Sequence, residues 1–116
     1  MKMLHVTIQT ERFEEEIQFF EKHTGLKIVQ DMRELGRNMV FLANAPDETC
    51  IEIIEKPGAA NAGNENISIG FCSEDVEKKR EELILEGYEV TPMIIPMPDV
   101  KFFFVKDPAG VTIQFM

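Results

Sequence analysis

His5-Val6-Thr7-Ile8 runs into an acidic stretch that closes at Thr24-Gly25-Leu26, and the chain then does the same thing again. Asn66-Ile67-Ser68-Ile69 runs into a second acidic stretch that closes at Glu86-Gly87-Tyr88. Each half ends in a turn and a short strand with one polar residue inside it: Cys50-Ile51-Glu52-Ile53 and Thr112-Ile113-Gln114-Phe115. Matching positions lie 61 or 62 residues apart. Self-similarity at a fixed period makes each half one supersecondary unit. It also singles out four related polar positions, His5, Glu52, Asn66 and Gln114.

Outward from His5, Met3 to Gln9 alternates. Leu4, Val6 and Ile8 share one face, and Met3, His5, Thr7 and Gln9 share the other. Phe13, Ile17 and Phe20 then recur at helical spacing, with Glu14, Glu15, Glu16 and Glu21 assigned to a solvated face. Gly25 stands where a helix C-cap glycine is expected. Lys27 to Glu34 reads as a strand, Leu35-Gly36-Arg37 as a turn, and Asn38 to Asn44 as the hairpin partner. Thr49 to Glu55 closes the half.

Pro57 to Glu65 is rich in Pro, Gly, Ala and Asn and reads as the linker. The expected organisation is one domain over residues 1–116, with a module at 1–56 and another at 66–116. In the second module Asn66 to Cys72 is a strand, and Ser73 is the expected N-cap of a helix through Glu86. Val76, Leu83 and Leu85 form its apolar stripe. Tyr88 to Thr91 begins a strand that Pro92, Pro96 and Pro98 disrupt. Lys101 to Lys106 is apolar on both faces, Asp107-Pro108-Ala109-Gly110 is a turn, and Val111 to Met116 is the last strand. Each half is therefore strand, helix and three strands. The helix should cover Leu4, Val6, Ile8, Ile67, Ile69 and Phe71. The opposite face should carry His5, Thr7, Glu52, Asn66, Ser68, Cys72, Thr112 and Gln114, a few convergent polar groups as in a small-molecule site.

Composition narrows the function classes. The net charge is −9 and the pI about 4.7. That balance argues against a phosphate-binding basic face and so against nucleic acid as a partner. It fits a neutral or cationic small ligand, or one held through a metal. Cys50 and Cys72 make no disulfide framework, no apolar run is long enough for a membrane span, and no signal-peptide core precedes His5. A cytoplasmic setting is the default expectation.

The opening Leu4-His5-Val6-Thr7-Ile8, the strand Cys50-Ile51-Glu52-Ile53-Ile54 and the ending Phe104-Val105-Lys106-Asp107-Pro108-Ala109-Gly110-Val111-Thr112-Ile113-Gln114-Phe115 resemble the vicinal oxygen chelate superfamily. That group includes glyoxalase I, bleomycin-resistance proteins and extradiol dioxygenases. The resemblance covers essentially the whole chain, and the Asp-Pro-x-Gly-x-x-Ile-x-Phe ending is its most specific part. It implies an α+β fold of two βαβββ modules in a cupped mixed sheet with helices on the convex face. It also implies a homodimer, and in catalytic members a divalent metal such as Ni, Zn, Co, Mn or Fe.

The resemblance places metal ligands at the first and last strand of each module, here His5 and Glu52, then Asn66 and Gln114. His5 and Glu52 match the usual residues. Asn66 stands where histidine is usual and Gln114 where glutamate is usual. The resulting expectation is a metal set of His5, Glu52 and Gln114, with Glu52 as the catalytic carboxylate. Asn66, Thr7, Ser68, Phe103 and Thr112 are expected to bind the ligand.

The residues leave three readings open. One is a metal-dependent lyase or isomerase acting on a carbonyl substrate, with the metal as Lewis acid. A second is a metal-free, bleomycin-resistance-type protein that sequesters a small cationic or aromatic compound. The third, an enzyme working through cavity side chains alone, has no visible nucleophile–base pair. His23, near the end of the first helix, is explained by the helix dipole. The proline- and methionine-rich Thr91 to Asp99 reads as an irregular edge strand, with a lid or a dimer contact as alternatives.

Overall fold

Two segments of the chain build separate four-stranded sheets with the same strand plan. The computed structural model describes all of residues 1–116. Contacts divide the chain into Met1–Ala62 and Gly63–Met116.

The first unit contains β1 (His5–Thr10), α1 (Phe13–Phe19), β2 (Lys27–Asp31), β3 (Met39–Ala43) and β4 (Cys50–Glu55). The sheet order is β1-β4-β3-β2. β1 runs parallel to β4, and the other pairs are antiparallel. Parallel pairing needs a long crossover, and here it comprises α1, β2 and β3. The core is Ile8, Phe13, Ile17, Phe19, Phe20, Leu26, Val40, Leu42, Ile51 and Ile53.

α1 continues into a single π-helical turn, Phe20–Thr24, and stops at Gly25, whose φ of 73° is open to glycine at little cost. One expectation fails on this helix and another is incomplete. Glu16 is fully buried rather than solvated. It lies three residues after Phe13 and four before Phe20, so helical geometry sets it on the core stripe. His23 is also buried, with its ring centroid 5.2 Å from that of Phe19, so packing as well as the dipole accounts for it.

The second unit contains β5 (Ser68–Phe71), α2 (Val76–Leu85), β6 (Ile94–Met97), β7 (Val100–Lys106) and β8 (Thr112–Phe115), in the order β5-β8-β7-β6. β5 is parallel to β8, and β6 and β7 complete the sheet antiparallel. Phe103, Val105, Ile113, Phe115, Val76 and Leu83 are buried. The Asp107 carboxylate closes the β7–β8 turn by accepting the N–H groups of Ala109 and Val111 at 3.0 and 2.9 Å. This side-chain mimicry of a backbone turn is why Asp-Pro-x-Gly works at this place.

Here too the structure corrects details. Asp75, not Ser73, caps α2: its Oδ1 accepts the Lys78 N–H at 3.0 Å. Leu85 is exposed, as are Leu4 and Ile67. The last two immediately precede the outermost strands of their sheets. The proline-rich segment does form an edge strand, β6, whose residues are all exposed. No helix is long and apolar enough to cross a membrane.

Candidate functional site

The register of the ladders shows which side chains stand together. In the first module Thr7 pairs with Glu52, Glu52 with Phe41, and Phe41 with Gln30. Residues directly opposite share a sheet face. Thr7, Glu52, Phe41 and Gln30 thus form one row across four strands. The Thr7 hydroxyl donates to Glu52 Oε1 at 2.5 Å. His5 Nε2 lies 3.5 Å from the same oxygen. The His5 ring meets the Phe41 ring edge-on, with centroids 5.9 Å apart. Glu52 is only 8% exposed, so these neighbours take the place of most of the water around its carboxylate.

The second module has the corresponding face. Gly70 pairs with Gln114, and Gln114 with Phe104; one step along, Ser68 pairs with Thr112, and Thr112 with Lys106. Ser68, Thr112, Phe104 and Lys106 line a cavity of about 410 Å³ together with Glu65, Asn66, Ile67, Glu89, Val90, Thr91 and Val105. Gln114 lines a smaller hollow beside Gly70, Phe71, Cys72 and Met116. Its Oε1 lies 3.2 Å from the point where a β-carbon on residue 70 would stand, so the amide leans over a strand that has no side chain there.

The same registers revise the internal repeat. His5 pairs with Cys50, and Ser68 pairs with Thr112. Arg12 precedes α1 as Asp75 precedes α2. Strand and helix therefore match at a spacing of 63 residues rather than 61. Ser68 takes the place of His5, and Gly70 that of Thr7. Asn66 lies in the turn before β5, where its N–H bonds the Asn64 side chain at 2.7 Å. It lines the cavity but is not the counterpart of His5. The similarity of His5-Val-Thr-Ile to Asn66-Ile-Ser-Ile concealed a slip of two residues. A slip of two preserves face alternation, so periodicity could not detect it.

Phe103 needs a second correction. It is fully buried and stacks on Phe115, with centroids 5.7 Å apart, on the helix side of the sheet. Phe104 occupies the opposite face. It sits beside Gln114 as Phe41 sits beside Glu52; of the run Phe102-Phe103-Phe104 it is the third aromatic, not the second, that faces the cavity, and nothing in the sequence reading points to Phe41. The matching third-strand positions were the available signal.

The sequence model of the Glyoxalase/Bleomycin resistance protein/Dioxygenase superfamily matches residues 2–115. The chain belongs to this superfamily. Among solved structures, a "possible glyoxalase" from Bacillus cereus is 22% identical with a TM-score of 0.74, covering 100% of this chain and 98% of its own. The trypanothione-dependent glyoxalase I of Leishmania major is 23% identical with a TM-score of 0.75, covering 100% and 86%. The fosfomycin resistance protein FosX of Listeria monocytogenes is 16% identical with a TM-score of 0.74, covering 97% and 87%. At these identities the likeness is one of fold. No protein of curated function matches the chain.

The glyoxalase superfamily raises the question of a divalent metal. Catalytic zinc sites use three protein ligands and an open position, drawn from imidazole, thiolate and carboxylate. The first module supplies His5 and Glu52. The matching positions of the second module are Ser68 and Gln114, a neutral hydroxyl and a neutral amide. No group of three or more His, Cys, Asp or Glu side chains stands together to hold an ion. These side chains supply one imidazole and one carboxylate, fewer than the three such ligands of a catalytic zinc site.

Proposed function

We propose that this chain is a small-molecule-binding member of the superfamily that holds its ligand without a metal, in the manner of the bleomycin-resistance type. The observation that carries this reading is the register of β5 on β8. It makes Ser68 and Gln114 the counterparts of His5 and Glu52, a hydroxyl and an amide in place of an imidazole and a carboxylate. Glu52 is already engaged by Thr7 and His5. A cavity of about 410 Å³ that sets Phe104 and Ile67 beside Ser68, Thr112 and Lys106 has the size of a small-ligand pocket.

The competing reading is a metal-dependent lyase or isomerase with His5, Glu52 and Gln114 as ligands. The 3.5 Å approach of His5 to Glu52 favours it, since two donors of the right kind are adjacent. Thermal unfolding of EDTA-treated protein with added Ni²⁺, Co²⁺, Zn²⁺, Mn²⁺ or Fe²⁺ decides between them, with His5→Ala as control. A ligand that binds only the folded state raises its stability. The binding-protein reading expects no saturable rise with any metal. A large rise that His5→Ala abolishes would reverse the conclusion.

A further inference from the structure

The second-module cavity has a floor whose chemistry is specific. Ser68, Thr112 and Lys106 are successive register partners on β5, β8 and β7, and all three line the cavity. Neighbouring strands lie about 4.8 Å apart, so the row presents two hydroxyls and an ammonium at regular spacing on one face. All three can donate hydrogen bonds, and the ammonium can only donate. Such a row suits an oxyanion with two acceptor atoms. The other hydroxyl in the wall is occupied within the chain: Thr91 Oγ1 accepts the Phe104 N–H at 3.0 Å and donates to the Pro92 carbonyl at 3.0 Å.

Along the same face stands Phe104, two residues from Lys106, and Ile67 adds apolar wall. An aromatic or aliphatic body would lie there. Two carboxylates flank the row. Glu65 precedes β5 on one side, and Glu89 lies beside Lys106 on the other, its carbonyl accepting the Lys106 N–H at 3.2 Å. A simple organic acid would leave both carboxylates facing an anion. A ligand that also carries an ammonium meets them favourably.

We infer that this cavity takes a zwitterion of the α-amino-acid type with an aromatic or bulky apolar side chain. Its carboxylate sits on the Ser68–Thr112–Lys106 row, its ammonium faces Glu65 or Glu89, and its side chain covers Phe104. The inference rests on the metal-free binding reading and gives it a ligand class.

The test is calorimetric titration of EDTA-treated protein with three probes: L-phenylalanine, 3-phenylpropionate, which lacks the ammonium, and phenethylamine, which lacks the carboxylate. L-Phenylalanine should bind most tightly. Lys106→Gln should weaken it about tenfold, with Lys106→Arg restoring most of the loss, because a hydrogen bond to a charged group is at stake. Thr112→Val keeps the side-chain shape and should weaken binding severalfold without moving the thermal midpoint. The ligand class is overturned if 3-phenylpropionate or phenethylamine binds as tightly as L-phenylalanine, if no probe binds, or if Lys106→Gln and Thr112→Val leave affinity unchanged. EDTA-insensitive binding of some other compound would then leave the metal-free reading standing. Binding of any probe that appears only after metal is added would remove that reading instead.

Discussion

Thr7 and Glu52 are partners twice over: they face each other in the β1–β4 ladder, and the Thr7 hydroxyl donates to Glu52 Oε1 at 2.5 Å. The pairing gives an almost buried carboxylate a donor from the adjacent strand. The second module has the same place filled by Gly70 and Gln114, where no donor exists and the neutral amide needs none of that strength. The two modules share a strand plan and differ in charge at their most comparable point. An imidazole and a carboxylate, with the Thr7 hydroxyl as donor, stand together in one, and the uncharged Gly70 and Gln114 stand together in the other.

Thr7→Val should therefore destabilise the protein more than an exposed strand position normally would. The substitution preserves β-branching and shape but removes the donor, so Glu52 keeps only His5 beside Oε1. A hydrogen bond to a charged group contributes about 1.5–3 kcal/mol, and a loss of that order is expected in urea unfolding at neutral pH. Thr7→Ser should recover most of it. A loss below about 0.5 kcal/mol would mean that water replaces the hydroxyl without penalty.

Two glycines of the second module make opposite predictions. A β-carbon on residue 63 would lie 2.0 Å from the Gly110 carbonyl oxygen, a backbone atom held in the β7–β8 turn. Gly63→Ala must move that turn, and overpacking of this kind costs about 1–3 kcal/mol or more. A β-carbon on residue 70 would meet only the end of the Gln114 side chain, at 3.2 Å. The amide can rotate away, and alanine restricts the unfolded chain, so Gly70→Ala should be neutral or stabilising by up to about 1 kcal/mol. Thermal midpoints of the two variants, measured side by side, check the contrast.

The fold was legible because the signals behind it are local and redundant. Alternation at Leu4 to Gln9, helical spacing at Phe13, Ile17 and Phe20, and the Asp107-Pro-Ala-Gly110 turn each name an element, and the repeat confirms them. The candidate site was only partly legible. His5, Glu52, Thr7, Ser68, Thr112 and Gln114 all lie on the expected faces. Which of them oppose each other is a property of strand register, and a slip of two residues leaves every face unchanged. Sequence similarity therefore pairs Asn66 with His5, whereas Ser68 fills that place in the register. Glu16 differs for another reason: a glutamate reads as solvated by type, while its position between Phe13 and Phe20 sets it inward.

The Asp31–Arg33 contact gives a pH dependence with a definite sign. Arg33 Nε and Nη2 donate to the two Asp31 oxygens at 2.9 and 2.7 Å, and the Arg33 N–H adds a third bond at 3.0 Å. The guanidinium bonds, followed by the backbone N–H, hold the Asp31 carboxyl below its ordinary value of 3.8. A folded-state pKa below the unfolded one means that the contribution is complete above the unfolded pKa. It is lost as pH falls through the lower folded value. Asp31→Asn should thus lower stability at pH 7, and the gap to the natural protein should narrow as pH drops below about 4. A gap that is constant from pH 7 to pH 2 would show that the carboxylate charge contributes nothing.

Adjacent aromatics on β7 separate the core from the candidate site. Phe103 is fully buried and stacks on Phe115, whereas Phe104 is half-buried, pairs with Gln114 and lines the cavity. Successive strand residues point to opposite faces, so one step along the chain exchanges a packing role for a binding role. Phe103→Ala leaves a large void among Val105, Ile113 and Phe115 and should cost about 3–5 kcal/mol in denaturant unfolding. Phe104→Ala removes partly exposed apolar area, at a cost of about 1–2 kcal/mol, and should leave a folded protein. In that variant the loss should appear in ligand affinity, with L-phenylalanine binding weakened well beyond any effect of lower stability. If Phe104→Ala unfolds the chain as readily as Phe103→Ala, the two faces of β7 are not divided between core and cavity. If it folds and binds unchanged, the aromatic does not line the ligand's position.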